Sequence, residues 1–126
     1  MPRTQGEIEA EVSSSVNAFL KQQTGRGATH SEAHLCGRML LVRMEGVLST
    51  RERYLLERSK SPKADTVTAI HREVIAVSRL AIDGIAIAAT DCKPISLHHD
   101  LCTSTGVEVL VITLDKPPAT RLVKPS

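Results

Sequence analysis

Residues 98–102, His-His-Asp-Leu-Cys, gather the side chains of this chain best suited to chemistry. Imidazole, carboxylate and thiol are the donors a zinc site uses, and the same three groups make up a nucleophilic triad. In an extended segment alternate residues share a side, so His98, Asp100 and Cys102 face one way while His99 goes with Leu97 and Leu101. His34 and Cys36 repeat the pattern in miniature earlier in the chain. Were those two segments neighbouring strands, their side chains would form a cluster of zinc-compatible atoms. The spacing argues otherwise, because the chain has no Cys-x-x-Cys and no His-Glu-x-x-His. A triad on one strand fails on geometry, since same-side neighbours stand ~7 Å apart and three cannot converge on one reacting atom. The expectation is a hairpin with a decorated polar side and no metal, cofactor or catalytic residue.

Arg26 lies between Gly25 and Gly27, a pattern whose backbone amides and guanidinium suit an anion. The loop follows a helix C-terminus, however, and the partial negative charge there opposes an anion. A helix cap followed by a turn explains it more simply. Arg26 is kept, with Arg43, His98 and Asp100, as a candidate contact to a ligand or partner. The segment 51–63 is basic, but Glu52 and Glu57 dilute its charge, so a solvated helix is expected there.

The elements that must position these residues follow from periodicity. Ile8, Val12, Val16, Phe19 and Leu20 mark one face of a helix over 4–23, stopped by Gly25. Leu40, Val42 and Met44 alternate with Leu41, Arg43 and Glu45, which predicts strands at 31–36 and 39–45 with a tight turn at Gly37-Arg38. Ser49 with Glu52 is a capping-box pattern and predicts a short helix from Thr50. Pro62 reads as a break, and Asp65 as the N-cap of a long helix over 66–90. One face of that helix holds Val67, Ile70, Val74, Val77 and Ala81, and a second strip holds Ile75, Ile82 and Ile85. Two strips imply two packing partners, the sheet and another helix, the latter from this chain or from a second copy. A second hairpin runs from about Ile95 through the turn residues 103–106 to Ile112. The expected fold is α+β, in the order α-β-β-α-α-β-β. It has a four-stranded, mainly antiparallel sheet with helices on one face. Residues 1–115 would form one domain, and 116–126 a Pro-rich flexible tail.

Composition narrows the function classes. The 126 residues suffice for one core, and 41% apolar with 24% charged residues is ordinary globular usage. Phe19 and Tyr54 are the only aromatics besides histidine, which argues against stacking on single-stranded nucleic acid. A net charge of +2, with both signs interspersed, is no footprint for DNA or RNA. No apolar run approaches the ~18 residues of a membrane span. Three cysteines, Cys36, Cys92 and Cys102, with no secretory leader read as reduced thiols in the cytoplasm.

Taken in order, RTQGEIEAEVSSSV, GRGAT, LVRMEGVLSTRERYLL, IHREVI and SLHHDLCTSTGVEVLVITLD resemble the MpsC-like family of small bacterial proteins, over residues 4–115. The matching positions include Gly25, Arg26, Gly27, Arg43, Gly46 and Leu48, then His98, Asp100 and residues 103–106. Cys36, His99 and Cys102 stand where other residue types are usual. The resemblance implies a soluble accessory protein of a sodium-translocating, membrane-potential-generating system tied to inorganic-carbon uptake. It supplies no reaction or cofactor. The expectation is therefore a non-enzymatic cytoplasmic accessory or regulatory protein, a homodimer with a membrane transport partner, without nucleic acid or membrane insertion. The alternative is a small-anion or metabolite sensor using Arg26, Arg43, His98 and Asp100. Weaker still is a nucleic-acid module, suggested by fold analogy alone.

Overall fold

The computed structural model describes residues 2–58 and 62–122. Helix α1 (Gln5–Thr24) opens with a full capping box. The Glu7 N–H donates to Thr4 Oγ1 and the Thr4 N–H donates to Glu7 Oε1, at 3.1 and 2.9 Å. It ends at Gly25, whose φ of 80° is the left-handed conformation a C-cap favours. Its buried residues Ile8, Val12, Val16 and Leu20 recur every fourth position and press one stripe onto the sheet.

Strands β1 (His30–Cys36) and β2 (Met39–Glu45) form the first hairpin, and β3 (Pro94–Cys102) and β4 (Val107–Leu114) the second. β2 pairs with β4, so the order is β1-β2-β4-β3 and every pairing is antiparallel. The sheet is thus single and four-stranded, in the expected α+β class. α1 also tends the exposed edge of β1, since the Leu35 N–H donates to Glu9 and the Leu35 carbonyl accepts from Gln5. Leu40, Val42, Leu110, Ile112 and Leu114 are fully buried beneath the helices. Alternation sends Met39, Leu41, Arg43, Val107, Val109, Val111, His98 and Asp100 to the opposite side, which no described helix covers.

α2 (Thr50–Arg58) starts at the predicted capping box, with the Glu52 N–H donating to Ser49 Oγ and the Ser49 N–H to Glu52 Oε1. The predicted single helix over 66–90 is instead two: α3 (Pro62–Val77) and α4 (Arg79–Thr90). Pro62 opens α3 rather than preceding it, because a first-turn residue needs no N–H partner. Asp65 therefore lies inside the first turn and is not the N-cap. Ser78, at φ −95° and ψ 2°, makes the break, its N–H shared between the Val74 and Ile75 carbonyls. The bend lets α3 lie against β3 and α2 while α4 packs on α1. It also changes which face is inside. Val67, Ile75, Ile82, Ala86 and Ala89 are buried, whereas Ile70, Val77 and Leu80 stand 54%, 76% and 87% exposed. Of the strip predicted on Val67, Ile70, Val74, Val77 and Ala81, Val67 is buried and Val74 packs against the core, while Ile70 and Val77 turn outward.

Beyond β4 the chain returns to its own start. Pro118 is buried, the Arg121 N–H donates to the Arg3 carbonyl, and the Arg121 guanidinium pairs with Glu7. The predicted break over 59–61 and the end of the tail, 123–126, lie outside the described residues.

Candidate functional site

Strand order decides the fate of the His/Asp/Cys cluster. β1 and β3 are opposite edges of the sheet, three strand spacings or ~14 Å apart. His34 and Cys36 therefore never meet His98, Asp100 and Cys102, and all three cysteines are free thiols. Among the described residues no three His, Cys, Asp or Glu side chains are placed to hold a metal ion. Cys102 has a local peculiarity, however. Hydrogen bonds from the Ser104 and Thr105 hydroxyls and their backbone amides, in the turn that follows, lower its exposed thiol to about 7.

The arginines are held by the fold itself. Arg43 pairs with Glu45 on its own strand and lies 3.6 Å from Glu32 across the β1 pairing. The Glu45 hydrogen bond is the main cause that raises it further. Arg26 Nη2 donates to the carbonyls of Gly46 and Leu48, both at 2.9 Å, and so clasps the turn leaving β2. That turn needs glycine. Gly46 has φ +66°, and a Cβ there would stand 2.2 Å from Thr29 Oγ1. Gly27 is constrained by Asn17, whose Oδ1 accepts the Ala28 N–H and would lie 2.7 Å from an added Cβ.

The main polar feature of the interior was not anticipated. Glu108, His99, His71 and Glu52 form one hydrogen-bonded chain from α2 through α3 to β4 and β3. Glu108 Oε2 is 2.6 Å from His99 Nε2 and 3.3 Å from His71 Nδ1, and His71 Nε2 is 2.9 Å from Glu52 Oε2. The side chains of His99 and Glu108 are each only 5% exposed. Burial pushes the Glu108 carboxyl up, but hydrogen bonds from His71 and His99 outweigh it and hold the group below its ordinary value. The Glu108 hydrogen bond chiefly raises His71, against burial, with Glu52 assisting. The arrangement thus favours the ionised form of Glu108 and the protonated form of His71. Such a chain can pass or redistribute protons, and it includes no Ser, Thr or Cys side chain.

Two pockets flank it. One, of about 420 Å³, has apolar walls from Leu20, Ala28, Met44, Val47, Val74 and Ile75, and is bordered by Arg26, Glu52, His71 and Glu108. The other, of about 410 Å³, is bordered by Arg72, Arg79, His98 and His99 together with Ile75, Ala76 and Leu97. The candidates His98 and Asp100 lie in the other phase of β3. His99 shares its phase with Leu97 and Leu101, and Glu108 with Leu110 and Ile112, so two ionisable groups stood in the buried phase of adjacent strands. That coincidence was the available signal.

The family described as "Na+-translocating membrane potential-generating system (MpsC)" matches residues 4–116. The chain belongs to this MpsC family. It is 28% identical over 114 residues to "Uncharacterized protein YbcI" of Bacillus subtilis (strain 168), covering 90% of each chain. No solved structure matches. The family match spans Arg26, Glu52, His71, His99 and Glu108, so both pockets lie within the MpsC region. Among the described residues of this MpsC chain, no helix is long and apolar enough to cross a membrane.

Proposed function

We propose that this chain is a non-enzymatic accessory and regulatory protein of the cytoplasm. It works as a homodimer, through protein contacts, on a sodium-translocating membrane system linked to inorganic-carbon uptake. The observation that carries the reading is the uncovered side of the sheet. Met39 and Leu41 stand 45% and 36% exposed there, beside the half-buried Val107, Val109 and Val111. An apolar sheet face left open on so small a domain favours a partner, and a second copy presents the same surface. Arg43, His98 and Asp100 border this face and serve as partner contacts. A separate apolar stripe of Ile70, Val77, Leu80 and Ile87 on α3 and α4 suits the membrane component. Three free thiols agree with a reducing compartment.

Light scattering on the purified chain, paired with co-purification from the source cell's membrane fraction, tests this. Leu41→Glu is expected to give monomers, and Leu80→Glu to lose the membrane component while remaining dimeric. A monomeric wild type would remove the dimer, and no membrane protein retained by wild type would remove the partner.

The pocket bordered by Arg26 favours a second reading, a metabolite sensor, because its apolar walls close around a few convergent polar groups. A thermal shift with a metabolite panel, lost in Arg26→Ala, would select it.

A further inference from the structure

We infer that the pocket between α3 and β3 is a binding site for a small oxyanion, with His99 Nδ1 as its buried donor. This site is distinct from the Arg26 pocket and shares His98 with the border of the proposed dimer face.

The starting point is an unsatisfied atom. His99 has a side chain only 5% exposed, and its Nε2 is committed to Glu108 at 2.6 Å. Its Nδ1 is buried and has no hydrogen-bond partner among the described residues. Buried polar atoms are nearly always paired, and leaving one unpaired costs about 1–3 kcal/mol. A group retained at that cost in a ring that borders an open pocket is best explained by a partner that comes and goes.

The chemistry of that partner follows from the surroundings. Arg72, Arg79 and His98 border the same space, and no carboxylate does. Arg79 spends its Nε on Asp83 at 2.9 Å, and Arg72 has no ion pair among the described residues. The neighbouring pocket is unlike it, since Glu52 and Glu108 border that one and would repel an anion. With Nε2 engaged by Glu108, Nδ1 is the ring nitrogen left to meet a ligand, as an N–H donor. A carboxylate on one side and an oxyanion on the other would then share one ring, with the arginines balancing the added charge. Ile75, Ala76 and Leu97 supply the dry wall that strengthens such contacts. Because Ile75 and the His71–Glu108–His99 chain separate the two pockets, occupancy of one would be felt at the other through shared protons.

The test is titration of the full chain with sodium phosphate and, separately, sodium acetate, each at ionic strength matched with sodium chloride. The readout is the ring-nitrogen NMR signals of His99, with heat of binding alongside. Saturable binding with a Kd of about 1 mM or tighter is expected, moving the His99 Nδ1 signal. Arg72→Gln with Arg79→Gln, both away from the core, should weaken it about tenfold or more, a loss of ~1.4 kcal/mol, with Tm unchanged. A response to phosphate alone assigns a tetrahedral phosphoryl-type ligand, and a response to acetate alone a planar carboxylate. The inference is overturned if neither anion moves His99, if chloride moves it equally, or if the double variant binds as wild type does.

Discussion

Replacing Glu108 with Gln removes the charge at the middle of the Glu52–His71–Glu108–His99 chain while keeping the volume. In the wild type the carboxylate is 5% exposed and receives two imidazoles on one oxygen. Taking one member from a buried charged network costs about 3–5 kcal/mol, since the remaining charges stay buried without their partner. Each lost charge-assisted hydrogen bond accounts for ~1.5–3 kcal/mol of that figure. The pH dependence makes the attribution specific. Glu108 is held below the ordinary carboxyl value of 4.5, so its contribution is present above that value and fades as pH falls toward the folded value. His71 is raised above the ordinary imidazole value of 6.5, so its contribution is complete below that value and fades as pH rises through the folded one. The wild-type advantage over Glu108→Gln should thus be greatest between 4.5 and 6.5 and shrink on both sides. Urea unfolding at several pH values measures it. A difference below about 1 kcal/mol, or one flat from pH 4 to 8, would refute the claim that this chain is an ionised, energetically coupled unit.

Gly46→Ala should destabilise the chain by about 1–3 kcal/mol, because φ +66° and the Thr29 side chain both oppose a Cβ; Thr29→Gly in the same chain should recover part of the loss in a thermal melt. Alkylation of Cys102 by iodoacetamide should reach half its limiting rate near pH 7 and shift to higher pH in Ser104→Ala, with buried Cys92 unreactive in the folded protein.

Much of the frame could be read along the chain. The α1 stripe, both hairpins, the Ser49 capping box and the α+β class all rest on interactions within a few residues, where period and cap chemistry suffice. The break at Ser78 could not be read that way. Ser is a tolerable helix residue, and the break shows only in the packing, where α3 lies against β3 and α2 while α4 packs mainly on α1. Once they part, Ile70 and Val77 turn outward although their spacing is that of a core stripe.

The site divides along the same line. Alternation along β3 and β4 already placed His99 and Glu108 on the apolar side of their strands. Which other groups they would meet was not contained there. His71 lies 37 positions from Glu108, and Glu52 is 19 from His71. Their meeting depends on α3 crossing the hairpin and α2 closing the end. The sheet order likewise separated His34 and Cys36 from His98, Asp100 and Cys102, which only neighbouring strands would have clustered. Local chemistry and periodicity thus determine which segments are helix or strand and which side chains seek the interior. Packing of those segments against one another alone decides which buried polar groups become partners and which ring nitrogen is left without one, because such contacts join residues far apart in the chain.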